Sequence, residues 1–296
     1  MAYILSCCST ADLSREHFES RDIHYICFHF FLDGKAYPDD LGESIPFDKF
    51  YAAMANGADT RTSQINTDEF IAYFTPFLEE GKDILHVSLS SGISGVSNSA
   101  TLAAKELSEK YPERKILIVD SLGASSGYGL IMDKLADLRD EGKSLDEITQ
   151  YLLEARSKVQ HQFFSTDMTM FRRSGRVSGA AAMVSTLLGI CPVMCLDDCG
   201  KIVAYDKVRG KKNAIKKLVS EAQKHIQNGA DYDGKFFLSN SNCPELAEET
   251  KQALEEAFPK LKGKIKMFNI GTIIASHCGP GTIAAFFLGD GRRSFK

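Results

Sequence analysis

The sequence predicts an α/β protein of two domains sharing a cleft, an N-terminal parallel sheet covered by helices over residues 1–160 and a C-terminal α/β domain with a mixed sheet over 161–296. Three observations lead there. The 296 residues are about twice the usual domain length. In the first half, short apolar runs alternate with stretches of helical periodicity, the pattern of strands joined by crossover helices and so of a parallel sheet covered on both faces. In the second half, Asp198-Cys199-Gly200 stands between two apolar runs with the turn chemistry of a hairpin, which brings in antiparallel pairing.

Taken in order, Tyr3 to Cys7, Ile23 to Phe31, Ile84 to Leu89 and Ile116 to Val119 read as strands, short and apolar throughout. Phe47 to Asn56, Thr67 to Leu78, Ser94 to Lys110, Ser125 to Glu141 and Ser144 to Lys158 carry apolar residues at i, i+3, i+4 spacing and read as helices. Beyond residue 160, strands are expected at His161 to Ser165, Pro192 to Leu196, Lys201 to Lys207, Lys235 to Ser239, Lys264 to Asn269 and Thr282 to Leu288, with helices between them. Two uncharged stretches, Val177 to Leu196 and Ile270 to Gly289, approach the length of a membrane span. Gly189 and Pro192 interrupt the first and His277 with Gly279-Pro280-Gly281 the second, so each reads as two buried elements joined by a turn and no transmembrane segment is expected.

A net charge of −4, with both signs interspersed, excludes a non-specific nucleic-acid binder, and 44% hydrophobic with 25% charged residues excludes a disordered chain. Eight cysteines are too few for a disulfide scaffold and read as reduced thiols. Cys191, Cys195 and Cys199 lack a fourth ligand for zinc, so no metal is expected. The first residues reach a polar turn too soon for a signal peptide, and a cytoplasmic location is the expectation.

Four segments could carry chemistry. In Asp83 to Ala100, a buried strand runs through Ser90-Ser91-Gly92-Ile93-Ser94-Gly95 into a helix; Ser91 or Ser94 either caps that helix or joins its free N–H groups around a carboxylate or phosphate oxygen. Its glycines permit close approach, and no Gly-Lys-Ser/Thr follows, so it is no nucleotide P-loop. Thr60-Arg61-Thr62-Ser63-Gln64 is a hydroxyl cluster in a polar stretch before the next helix, which a capping box with Thr67 or Asp68 would also explain. His277 sits at a turn inside an apolar segment, where an imidazole must find a partner, a carbonyl or a ligand. Arg172 to Gly179 is a basic turn from which a guanidinium could meet a buried acid.

Together with Ser9-Thr10-Ala11-Asp12-Leu13, Val119 to Gly129, Ser174-Gly175-Arg176-Val177-Ser178, Val208-Arg209-Gly210-Lys211-Lys212 and His277-Cys278-Gly279-Pro280-Gly281, these segments resemble, in order and spacing and nearly end to end, the DegV family. That family comprises bacterial fatty-acid-binding proteins, the lipid-carrying subunits of fatty acid kinase. The resemblance implies a long-chain fatty acid held between the domains, its carboxylate met by Thr62, Ser94 and His277 with Arg176 close by, and extends the ligand-binding set to Ser63, Ser91, Gly95 and Gly279. It makes Gly179 to Leu196, Phe28, Phe30, Met183 and Leu187 candidates for the tail tunnel. It also implies no cofactor and no catalysis in this chain: a partner, an ATP-dependent fatty acid kinase, would make an acyl phosphate for phospholipid synthesis, and Arg176 with the run Lys207, Arg209, Lys211 and Lys212 offers positive charge for it to dock on, a run that a solvated helix start would also explain. The rival readings are an acyl-transfer or hydrolase enzyme using Ser94 and His277, which requires an orienting acid, and a sensor whose lipid is structural. The sequence departs from the family pattern at Cys7-Cys8, where Thr-Asp is usual, at Ile65, where proline is usual, and at Ser174, where glycine is usual. Losing the acid at Cys8 is expected to remove an acceptor that organises the first loop.

Overall fold

The computed structural model describes residues 3–178 and 189–295. In chain order the elements are β1 (Tyr3–Cys8), α1 (Arg15–Ser20), β2 (Ile23–Ile26), β3 (His29–Leu32), β4 (Lys35–Pro38), α2 (Phe47–Ala55), β5 (Thr60–Ser63), α3 (Thr67–Glu79), β6 (Asp83–Ser88), α4 (Val96–Lys110), β7 (Ile116–Asp120), α5 (Ser126–Asp140) and α6 (Leu145–Ala155). They continue as β8 (Val159–Ser165), α7 (Thr169–Ser174), β9 (Val177–Ser178), β10 (Ile190–Leu196), β11 (Ile202–Arg209), α8 (Lys211–His225), β12 (Phe236–Asn240), α9 (Pro244–Ala257), β13 (Lys266–Asn269), α10 (Thr272–Cys278) and β14 (Thr282–Leu288).

The expected α/β architecture holds. The first sheet has the order β2-β1-β6-β7 and is parallel throughout, while the second, β13-β12-β14-β8-β10-β11-β9, mixes parallel and antiparallel pairs. β10 and β11 form the hairpin expected around Asp198 to Gly200. Among the described residues no helix is long and apolar enough to cross a membrane. Ile270 to Gly289 is instead α10, a glycine-bearing turn and β14.

Three local expectations need correction, and all of them bear on the site. The run Ile23 to Phe31 is not one strand: it breaks at Cys27-Phe28 because the Phe28 N–H donates to Ser9 Oγ and its carbonyl accepts from the Asp39 N–H, so neither joins a ladder. β3 therefore leaves the parallel sheet and forms a separate antiparallel sheet, β4-β3-β5. Thr60 to Ser63 is consequently the edge strand β5 and no part of a cap; the capping box of α3 is made by Asn66 with Glu69, not with Thr67 or Asp68. His277 lies in the last turn of a short helix, α10, rather than at the turn itself, which begins at Gly279.

One apolar cluster runs from the first sheet into the second, taking in Leu5, Tyr128 and Phe286, and α5 is the element between the sheets. A side chain at Gly127 would strike His161 and one at Gly129 the Ala11 carbonyl, so these glycines set how closely the sheets approach the helix. A second cluster packs α8 and α9 on the outer face of the mixed sheet.

Candidate functional site

Where β5, the loop before α4, α7 and α10 meet, a cavity of about 480 Å³ opens. Thr62, Ser63, Gln64, Ser94, Gly95, Arg176 and His277 give it a polar end, while Phe28, Leu89, Ile93, Phe171, Ile202 and Ile274 form apolar walls. It shares Ala124, Phe171, Ile202, Ile274 and Cys278 with a small inner cavity of about 60 Å³, lined further by His161, Phe163, Leu196 and Phe286. On the other side it shares Thr62, Arg176 and His277 with an outer cavity of about 340 Å³ whose walls are mostly polar, including Thr60, Arg61, Arg173 and Ser276. A polar entrance, a mixed middle and an apolar end thus follow one another.

The Thr62 hydroxyl and His277 Nε2 stand 2.9 Å apart, one from an edge strand and the other from the C-terminal turn of α10. Burial, with Arg176 adding to it, pushes the imidazole down to about 4, so it is neutral near pH 7. Ser94 Oγ accepts the Val96 N–H at 3.3 Å, closing the turn into α4, whose N-cap is Gly95 and not Ser94, and it faces the cavity as well. Gln64 is held across α4 by its bond to Ser99 Oγ, and Gly95 is small enough to let the Gln64 amide lie 3.0 Å from where a Cβ would stand.

Other candidates fall elsewhere. Ser91 is exposed, its N–H donating to Asp120 Oδ1, and the structure puts it off the cavity wall; Gly279 packs on Met170, also off the wall. Gly92 permits close approach, but to the β10–β11 hairpin: a Cβ there would meet the carbonyls of Cys199 and Gly200 at 2.7 and 2.6 Å. Ser90 donates to the same Gly200 carbonyl at 2.9 Å, so this half of the serine loop joins the two sheets. Phe28 lines the cavity as expected, whereas Phe30 is buried against Phe50 and Tyr37 away from it, because its strand turns into the separate sheet. Met183 and Leu187 lie outside the described residues, as does most of Gly179 to Leu196, of which Leu196 reaches the inner cavity.

The first loop is organised without an acid at position 8. Burial pushes the Cys8 thiol up to about 12; Ser9 accepts the Phe28 N–H, Thr10 and Tyr128 hydroxyls lie 2.6 Å apart, and Ser125 donates to Asp12. The aliphatic and aromatic walls Phe171, Ile202, Ile273 and Ile274 were not singled out from sequence, since apolar residues facing a cavity and apolar residues facing a core carry the same signal. No carboxylate bonds His277 among the described residues, so a Ser94–His277 nucleophile and base would lack the orienting acid they need.

A family model described as "Uncharacterised protein, DegV family" matches residues 8–290. The chain belongs to the DegV family. A DegV domain-containing protein of Clostridium perfringens is 35% identical over 282 residues, 95% of this chain and 96% of that one. Among solved structures, a DegV family protein from Thermus thermophilus, described by its fatty acid binding, matches with a TM-score of 0.86 at 27% identity, over 98% of this chain and all of that one. The Streptococcus pneumoniae fatty acid kinase B3 protein loaded with linoleic acid shares the fold, with a TM-score of 0.83 at 22% identity over 98% of this DegV chain and all of that one.

Proposed function

We propose that this protein binds a long-chain fatty acid, holding the carboxylate at Thr62, Ser94 and His277 and the tail in the apolar cavities, and presents that carboxylate to a separate ATP-dependent fatty acid kinase. The observation that carries the reading is the Thr62–His277 couple at the junction of an apolar space and an open polar one. The fatty acid binding of the Thermus relative supports it.

The chemistry follows from the donors. A neutral imidazole with its hydrogen on Nε2 donates to Thr62 Oγ1, which leaves the threonine hydrogen free for one carboxylate oxygen. Ser94, whose oxygen already accepts the Val96 N–H, directs its own hydrogen to the ligand as well. Arg176, exposed at the mouth, supplies positive charge. Hydroxyl donors hold the carboxylate without locking both oxygens in a fork of guanidinium bonds, so one oxygen stays open to the outer cavity and to a phosphoryl donor. Burying about fifteen methylenes at ~0.8 kcal/mol each gives a gross gain of ~12 kcal/mol before the costs of binding. Lys207, Arg209, Lys211 and Lys212 are exposed and their side chains make no ion pair among the described residues, which suits a docking face for an acidic surface.

Native mass spectrometry of gently purified protein tests the reading. One long-chain fatty acid per chain is expected, and Arg209→Glu with Lys212→Glu keeps that mass while slowing acyl-phosphate formation by a matched kinase at low salt. An empty protein that hydrolyses acyl esters overturns carriage; unchanged turnover of the charge-reversed protein removes the docking face.

A further inference from the structure

α10 reaches the cavity with Ile273, Ile274, His277 and Cys278. Its other end is held by two carboxyls that the ligand reading leaves unused. Asp12 and Asp39 are 4% and 2% exposed, and Asp39 receives the Thr272 hydroxyl at 2.5 Å, from the first residue of the helix. Asp12 receives the Ser125 hydroxyl at 2.5 Å and lies against Gly271: a Cβ on that residue would meet Asp12 Oδ1 at 2.6 Å and Asp39 Oδ1 at 3.6 Å. Those two oxygens are therefore within about 6 Å of each other, the range over which like charges disfavour double ionisation.

No Lys, Arg or His forms an ion pair with either carboxyl among the described residues; what reaches them is the Ser125 hydroxyl and the Gly271 backbone at Asp12, and the Thr272 and Ser9 hydroxyls with the Thr272 backbone at Asp39. Two like charges buried this close with no cation paired to either would be costly, so the pair keeps a proton. The same residues reach the cavity wall by a second route, because the Asp39 N–H donates to the carbonyl of Phe28, which lines it. Tyr51 fixes the residue before Gly271 by donating to the Ile270 carbonyl at 2.9 Å.

We propose that Asp12 and Asp39 are positioning residues: a buried acid pair, holding one proton between them, that seats the start of α10 and thereby sets where His277 meets Thr62. The link is mechanical. Thr272 and His277 are five residues apart on one short helix, about 8 Å along its axis, so a shift at the first turn reaches the last almost undamped. Burial pushes both carboxyls up, in keeping with a retained proton. The consequence for carboxylate binding rests on the fatty-acid reading, whereas the geometry of His277 can be read with no ligand present.

The test compares Asp39→Asn, Asp39→Leu and Thr272→Val. The first readout is the imidazole ¹⁵N spectrum of His277 in ligand-free protein, which a purely stabilising role would leave alone. Asp39→Asn, a neutral isostere of the protonated acid, retains the parent signals; Asp39→Leu and Thr272→Val displace or broaden them. The second readout is affinity for a long-chain fatty acid, expected to fall about tenfold in the latter two variants, the loss of one well-placed hydrogen bond, and to stay within about twofold in Asp39→Asn. Should Asp39→Leu not fold, Thr272→Val alone decides. Parent-like His277 signals in Thr272→Val overturn the proposal, and so does an Asp39→Asn protein as disturbed as Asp39→Leu, since the site would then depend on an ionised carboxylate and not on a retained proton. A parent protein that binds no fatty acid would refute the ligand reading and leave the His277 comparison intact.

Discussion

His277, half-buried, and His161, buried, are imidazoles on the walls of the same run of cavities, one at the mouth and one at the inner end, and they differ in what their nitrogens hold. His161 accepts the Ala124 N–H at Nε2, 3.1 Å away, so its hydrogen sits on Nδ1 and is donated to the Val159 carbonyl at 3.0 Å. Both ring positions are spent on backbone. His277 bonds a hydroxyl, which can donate or accept, and so can turn its hydrogen bond towards whatever ligand arrives. Burial alone does not make a histidine a binding group; it must also have a partner that can pass the hydrogen bond on. The same contrast orients the ligand, for the inner end offers a carboxylate no free imidazole donor while the mouth offers two hydroxyls and a guanidinium nearby.

The largest way to break this comparison is to empty the mouth. Thr62→Ala with Ser94→Ala removes two hydrogen bonds to a charged oxygen, each worth roughly 1.5 to 3 kcal/mol, and fatty-acid affinity is expected to fall on the order of a hundredfold in isothermal titration, water recovering part of the loss. Unchanged affinity in the folded double variant would remove the mouth from the account.

Exchanging the roles of the two imidazoles gives a smaller effect of opposite kinds. His277→Ala is expected to weaken fatty-acid binding about tenfold with little change in thermal stability, since it frees one hydroxyl at a partly open site. His161→Ala strands a backbone N–H and a carbonyl in the interior, each costing roughly 1 to 3 kcal/mol, so its melting temperature drops by several degrees while the affinity of the folded fraction is kept. Calorimetry and titration on the same samples separate the two; equal losses of affinity would erase the distinction.

The smallest effect is that of pH. Both imidazoles are lowered from their ordinary value of about 6.5, His277 to about 4, by burial above all. Between those values the unfolded chain binds protons that the folded chain refuses, so stability declines as pH falls through that window and the contribution of His277 levels off below about 4. Affinity for a fatty acid is expected to be flat from pH 8 to 6, where neither ring titrates. A step in affinity within that range would mean that the ring at the mouth is charged.

Much of the fold could be read directly, because strands such as Ile84 to Leu89 and helices such as Ser144 to Lys158 announce themselves by period. The separate β4-β3-β5 sheet could not, since Ile23 to Phe31 is continuously apolar and its break is made by side chains distant in sequence, Ser9 above all. Thr62 was legible as chemistry and illegible as structure: a polar edge strand and a polar turn have the same composition. The four segments brought together at the cavity were each ambiguous alone, and only the family resemblance joined them. Ser91 and Gly92 show the opposite failure, where a loop with the chemistry of an anion site spends part of itself on Asp120 and the β10–β11 hairpin.

The most direct test of the central claim is the crystal structure of this protein with a saturated long-chain fatty acid. The account predicts the carboxylate oxygens within about 3 Å of Thr62 Oγ1 and Ser94 Oγ, with the methylene chain running past Phe171 and Ile274 towards Phe286. A carboxylate found at the His161 end with the methyl group at the mouth, or a fatty acid bound outside these cavities, would contradict it.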